Sequence, residues 1–268
     1  MTHVDQLAAA AQVFSVWTLY FFAYGFVGWV WESGYVSVRK HKLINSGFLN
    51  GPVIPVHGFS MTVVLAAVQP FAHNVFLLYI VSALVITVIE YVTSWGMEKL
   101  FHARWWDYSK VPLNLNGRVA LPISAFWGLG VVLVVKFLHP FVAKIVTHLD
   151  FRFGIFASIV LIALIMFDFG FTLANALAFG AATKRIGDAI EVKKNELREA
   201  AIASGEKLEQ ELPWLSEYRD HKAAGEKLPR LSFVQRRLLR SFPNLQLRDT
   251  RTKARDISKL SDLLKRQR

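Results

Sequence analysis

The chain has no cysteine, which excludes disulfides, thiolate metal sites and a lipidated cysteine. The first dozen residues hold no Lys or Arg, so a cleaved signal peptide with a charged leading segment is not expected. There is no Gly-x-x-x-x-Gly-Lys-Ser/Thr loop, so the chain does not hydrolyse ATP by that route. The most informative shortage is of charge within long apolar runs. Between Val13 and Gly180, stretches of roughly twenty residues repeatedly carry one charge or none, the length that spans a bilayer at about 1.5 Å per residue.

Of the 268 residues, 53% are hydrophobic, and the mean hydropathy is +0.34. A soluble domain of this size would interleave charge with its apolar residues to cover its surface. Here the two are segregated, and ordinary charged helical sequence begins only after Ala182. The expected organisation is a short extracytoplasmic N-terminus over 1–12, a transmembrane domain over 13–183 and a basic helical cytoplasmic tail over 184–268. Of the net charge of +11, most falls in that tail, where 21 Lys and Arg face 13 Asp and Glu. A basic segment beside a bilayer binds anionic headgroups, at about 1 kcal/mol per basic side chain near the surface. The tail carries no recognisable nucleic-acid module, so no nucleic-acid partner is expected.

The fold class read from this pattern is all-α, a polytopic membrane helix bundle of about five spans. They are placed at about 13–38, 56–72, 75–100, 121–138 and 153–182. Arg39, Lys40 and Lys42 follow the first span, and Arg104, Lys110 and Arg118 follow the third. The loop after the second has no Lys or Arg, and that after the fourth only Lys144 and Arg152. The bias puts the N-terminus outside and the tail inside a plasma (inner) membrane. Trp17 at one end, and Trp95, Trp105 and Trp106 at the other, suit interfacial belts. The second span is short, and Asn50-Gly51-Pro52-Val53-Ile54-Pro55 before it cannot be regular helix. It is either a thin full span or a broken segment, and non-helical backbone at that depth must be buried in protein or line a wet cavity.

Ionisable groups inside a bilayer cost at least about 2.5 kcal/mol each on insertion scales, which makes them site candidates. Glu32 shares a face of span one with Gly25, Gly28 and Tyr35, and the small residues let another helix approach closely there. Thr87, Glu90, Ser94 and Glu98 stack along one side of span three. With His57 and the aromatic, amide-rich loop carrying Trp106, Asp107, Asn116 and Arg118, these residues fall toward the cytoplasmic side. They point to a polar pocket opening inward. Bland readings stand beside that one: Glu98 next to Lys99 as an interfacial anchor, His57 satisfying loop backbone, and Glu32 with Glu90 as a structural clamp. Lys136 is expected to snorkel to headgroups. Asp168, with Thr172 and Asn175 on its face, is expected to hydrogen-bond between helices.

In the tail, Ile186, Ile190, Leu197, Ala201, Leu208 and Leu212 describe an amphipathic helix that continues span five and ends at Pro213. Leu231, Val234, Leu238 and Phe242 form one face of a second helix opposite Arg236, Arg237 and Arg240. That pattern suits a helix lying on the membrane or docking on a partner subunit. Residues 223–229 and 244–253 read as linkers.

Several stretches then resemble one family. They are Gly28-Trp29-Val30-Trp31-Glu32, Asn45-Ser46-Gly47-Phe48-Leu49-Asn50-Gly51-Pro52, Glu90-Tyr91-Val92-Thr93-Ser94, and the run from Met97 through Trp105-Trp106-Asp107-Tyr108. With Asn114-Leu115-Asn116-Gly117-Arg118 and Trp127-Gly128, they resemble the bacterial membrane proteins of the "Putative ABC-transporter type IV", or CmpB-like, family. The resemblance runs from about Phe21 to Pro140 and implies a multi-span permease. Glu32, Glu90, Glu98, Trp106, Asp107 and Asn116 match its motif positions. Arg is usual in the family where this chain has Ser46, and Tyr where it has His57, which weakens any role for His57.

A permease reading requires a separate ATPase subunit, docked on the inner loops or the tail. The alternatives left open are an intramembrane enzyme acting on lipid or isoprenoid substrates, and a non-catalytic scaffold whose tail recruits partners. No catalytic residue, metal site or cofactor is assigned; Mg²⁺ enters only with the enzyme, held by carboxylates such as Glu32, Glu90 and Asp107. Self-association into a homo-oligomer stays open.

Overall fold

In the computed structural model, residues 3–101, 103–204, 231–242, 245–247 and 257 are described. The chain forms two compact units. Residues 1–96 and 107–172 make the first, and residues 97–106 and 173–268 make the second.

Four helical stretches among the described residues are long and apolar enough to cross a membrane. They are His3–Lys40, Val75–Phe101, Leu121–Phe153 and Ile155–Ala178. Their outward faces carry bare large apolar side chains, with Phe137 76% and Phe167 78% exposed. A surface of this kind is stable against hydrocarbon and not against water, so the chain is a membrane protein.

The first unit is built on α1 (His3–Lys40), α2 (Pro55–Val68) and α3 (Val75–Phe101). It continues with α4 (Leu121–Leu133), α5 (His139–Phe153) and the start of α6 (Ile155–Ser204). Its core interlocks Leu19 and Tyr24 of α1 with Met61, Val64 and Val68 of α2. Leu78 of α3, Val131 and Val132 of α4, and Val142 and Val146 of α5 complete it. Within it the Tyr24 hydroxyl lies 2.7 Å from His139 Nδ1, tying α1 to α5.

The second expected span is the main departure. It is a helix of 14 residues, α2, closed by a 3₁₀ turn over Gln69–Phe71. At 1.5 Å per residue α2 covers about 21 Å, well short of the roughly 30 Å hydrocarbon core. It is therefore not among the four long apolar helices. Pro70 has no N–H to donate back into the helix, which accounts for the tightened last turn.

The fourth expected span also changes. Its helix does not end at Leu138 but passes through a π turn at Val134–Leu138 into α5. Pro140 has no N–H for the carbonyl four residues back, and the wider turn absorbs that mismatch without ending the helix. Lys144 and Arg152, read as loop charges, are thus helical. The exposed Lys136 ammonium donates to the Ala72 carbonyl at 2.8 Å.

Helix α6 runs unbroken past Lys184 to Ser204, so the fifth span continues into the tail as one helix. Its expected end at Pro213 and the linker at 223–229 lie outside the described residues.

The second unit holds α7 (Phe233–Ser241), started by a reciprocal cap between Ser232 and Gln235. The expected apolar face is present but not free. Leu231, Val234 and Leu238 are buried, and Phe242 packs edge-on to Trp105 at 4.6 Å. Protein, not headgroups, covers that face. Trp105 is itself buried, so it is a core residue of this unit and not part of an interfacial belt. Inside the second expected linker, β4 (Gln246–Leu247) pairs antiparallel with β1 (Ala103–Arg104).

Candidate functional site

The site begins with two glycines. Gly25 and Gly28 lie one turn apart on α1, and each replaces a side chain that would collide with the segment opposite. A Cβ on Gly28 would stand 2.5 Å from the His57 ring and 2.6 Å from its Cβ. At Gly25 the carbonyl accepts the Ile54 N–H at 3.0 Å. This close approach brings the first turn of α2 against the middle of α1. One turn further along α1, Glu32 Oε1 meets His57 Nε2 at 2.7 Å.

Glu90 reaches the same place from α3. Its carboxylate interacts electrostatically with both His57 and Glu32, and its Oε2 is buried without a hydrogen-bond partner. Tyr108, in the connector after α3, sets its hydroxyl beside that carboxylate. Burial first, then the Glu90 and Glu32 carboxylates, push the Tyr108 phenol above its ordinary value. Trp127 of α4 walls the other side, its ring centroid 5.7 Å from that of His57. Four helices and one connector therefore converge on two carboxylates, an imidazole and a phenol.

The connector is held by its own polar groups. Both Asp107 carboxylate oxygens accept from Ser109, at 3.0 Å from its N–H and 2.9 Å from its hydroxyl. The Tyr108 N–H donates to the Gly117 carbonyl at 2.8 Å. Strands β2 (Asn114–Leu115) and β3 (Val119–Ala120) form a hairpin. Asn116 and Gly117, both with positive φ, make its turn. Asn116 Nδ2 donates to the Tyr91 hydroxyl at 3.2 Å, and the Arg118 guanidinium sits 5.8 Å over the Tyr91 ring.

The non-helical stretch before α2 is anchored with equal care. Trp29 Nε1 donates to Asn45 Oδ1 at 2.9 Å, and Asn45 Nδ2 donates to the Leu49 and Asn50 carbonyls. Ser33 accepts the Ser46 N–H at 3.0 Å. Deeper in, the Asp168 carboxylate of α6 accepts the Gly51 N–H at 2.7 Å, and at 3.1 and 3.0 Å the N–H and side-chain amide of Asn50. Thr172 closes the set, donating to Asp168 and accepting from Asn50. Asp168 thus fastens a bent, non-helical segment, where a bond between helices was expected.

Of the residues singled out in the sequence, Glu32, His57 and Glu90 come together. Asp107 stands beside Tyr108 in the chain but binds Ser109, while Asn116 and Arg118 gather on Tyr91. Glu98 lies in the second unit and ion-pairs with Arg104 at 3.3 Å, and Trp106 belongs to that unit too. Tyr108 and Trp127 were not singled out, although both lie in the quoted motifs. Nothing local in the sequence joins Asp168 to Asn50, since 118 residues separate them. Among the described residues, no group of three His, Asp or Glu side chains is arranged to hold a metal ion.

A family model described as "Putative ABC-transporter type IV" matches residues 19–173. The matched stretch contains Glu32, His57, Glu90, Tyr108, Trp127 and Asp168. No curated protein and no solved structure matches the chain.

Proposed function

This chain belongs to the "Putative ABC-transporter type IV" family, and from that premise we propose that it is the membrane-embedded permease subunit of a transporter. The moving solute or ion passes the cluster of Glu32, His57, Glu90 and Tyr108. One observation carries the reading. Ionisable side chains from three different helices gather at one place within apolar helices, where each costs at least about 2.5 kcal/mol to insert. A fold keeps such a group when it is used.

The chain crosses the bacterial inner membrane five times, with its second crossing composite. The non-helical segment Asn45–Ile54 makes the inner half and α2 the outer half. Two observations support this. Asn50 and Gly51 bind Asp168, which lies roughly 20 Å along α6 from Ile155. Ile54 bonds the middle of α1 at Gly25. The N-terminus is then outside, and the basic loops at Arg39–Lys42 and Arg104–Arg118 are inside. Discontinuous helices of this kind place irregular backbone at mid-membrane, where it lines a binding site. Energy comes from a separate ATPase subunit.

The test is native mass spectrometry of the tagged protein extracted in native lipid discs. The expected result is an added subunit of ATPase size, retained in Glu90→Gln. A chain that is recovered alone across extraction conditions would overturn the permease reading.

A further inference from the structure

The Glu32, His57, Glu90 and Tyr108 cluster is unbalanced in its protons. It offers two carboxylates against one imidazole, and the phenol brings no positive charge. Glu32 is matched by His57 at 2.7 Å. Glu90 has a buried Oε2 with no hydrogen-bond donor, although carboxylate oxygens buried as acceptors ordinarily have one. The groups that face Glu90 are Glu32 from α1, His57 from α2 and Tyr108 from the connector. Trp127 of α4 backs His57.

With Glu32 ionised, His57 protonated and Glu90 ionised, the cluster carries one uncompensated negative charge in apolar surroundings. One further proton, placed on Glu90, brings it to zero and removes a buried charge. A proton also needs no cage of converging donors, and these donors do not form one.

We propose that Glu90, beside the Glu32–His57 pair, is a proton-exchange site. A proton from water or from a basic solute binds a Glu90 carboxylate oxygen and is later returned to one of them. With Glu90 protonated the cluster is neutral, and with the proton released it carries one negative charge. The Glu32–His57 pair, at 2.7 Å, keeps its own proton throughout. This deepens the permease reading, since it names a proton as a ligand of the same cluster, and it rests on that reading only for its purpose.

Infrared difference spectroscopy of the purified protein in lipid discs, titrated with pH in H₂O and D₂O, tests the site without any transport. The expected result is a carbonyl band of a protonated carboxyl that titrates, shifts in D₂O and is lost in Glu90→Gln. In His57→Gln the same band should persist and titrate over a shifted range. Glu98→Gln, an ion-paired carboxylate of the other unit, should leave it unchanged. Elution volume and circular dichroism identify any variant that fails to fold, and His57→Gln then carries the comparison. No titrating band, or one that survives intact in Glu90→Gln, would overturn the proposal even if an ATPase partner is found. A titrating Glu90 band without such a partner would leave the proton site standing and remove the permease reading.

Discussion

The Asp168 carboxylate, within α6, accepts the backbone N–H of Gly51 at 2.7 Å, so a helix late in the chain fastens a non-helical segment that precedes α2. Both Asn50 donors and the Thr172 hydroxyl bind the same carboxylate. In every one of these contacts Asp168 accepts. The non-helical backbone from Asn45 to Ile54 lies among apolar helices, where unpaired N–H groups are costly. Asp168 is what allows the helix to be broken there.

Asp168→Asn should therefore destabilise the first unit. An amide offers one acceptor oxygen in place of two, and its NH₂ faces a donor. Leaving one buried N–H unsatisfied costs about 1–3 kcal/mol. Thr172→Val, which removes a hydroxyl but leaves the two backbone contacts, should cost less, about 1 kcal/mol. Thermal unfolding in a mild detergent gives the order: wild type highest, Thr172→Val below it, Asp168→Asn lowest. Equal midpoints for Asp168→Asn and wild type would remove the anchor from the account.

Gly28 and Gly34 sit on the same helix and make opposite predictions. A Cβ at Gly28 meets the His57 ring and Cβ at 2.5–2.6 Å, so rotating the ring does not relieve it. Gly28→Ala should push α2 away from α1, part Glu32 from His57 and cost about 1–3 kcal/mol. A Cβ at Gly34 meets nothing within 4 Å. Gly34→Ala should be neutral or stabilising by up to about 1 kcal/mol, since Ala is the better helix former. If both variants melt alike, the close α1–α2 contact is not what sets the Glu32–His57 pair.

That contact was legible in the sequence, because Gly25, Gly28 and Glu32 recur at helical spacing in an apolar run. Depth in the run likewise picked out Glu90. Less was legible wherever pairing is between distant residues. Asp168 lies on the same helix face as Thr172, which suggested a partner but not the Asn50–Gly51 backbone. Glu98 stands two turns from Glu90 at helical spacing, yet Arg104 takes it; spacing fixes a face but not who meets it. The arginine-flanked α7 reads as a surface helix by its pattern, and that pattern is the same whether lipid or protein covers the apolar side. The Asn116-Gly117 pair was a readable hairpin signal, passed over among the aromatics around it.

The composite crossing is open to a direct chemical test, helped by the absence of cysteine. Single cysteines need no background removal. Lys42→Cys and Lys110→Cys should react with a membrane-impermeant maleimide only in inverted vesicles. His73→Cys, in the turn between α2 and α3, should react only from the outside. Labelling of His73→Cys from the same side as Lys42→Cys would mean that the segment Asn45–Phe71 enters and returns without crossing.

The last prediction concerns alkaline pH and the Tyr108 phenol. Burial and the Glu90 and Glu32 carboxylates raise its pKa above the ordinary 10.0. A group whose folded pKa is raised contributes stability that is fully present below the unfolded value and is lost as pH rises through the folded one. Stability should therefore be flat in this respect below about pH 10, where tyrosine ionises in an unfolded chain. Above it, the unfolded state loses the proton while the folded state keeps it, and stability falls by up to about 1.4 kcal/mol per pH unit from this one group. Tyr108→Phe has no proton to lose, so its melting midpoint should decline less steeply above pH 10 than that of the wild type. The two curves should run parallel below that pH. Tyr91→Phe, whose hydroxyl accepts from Asn116, serves as the control for removing a phenol from the same face. Parallel curves for Tyr108→Phe and wild type throughout the alkaline range would show that the Tyr108 hydroxyl is not held against the Glu90 carboxylate.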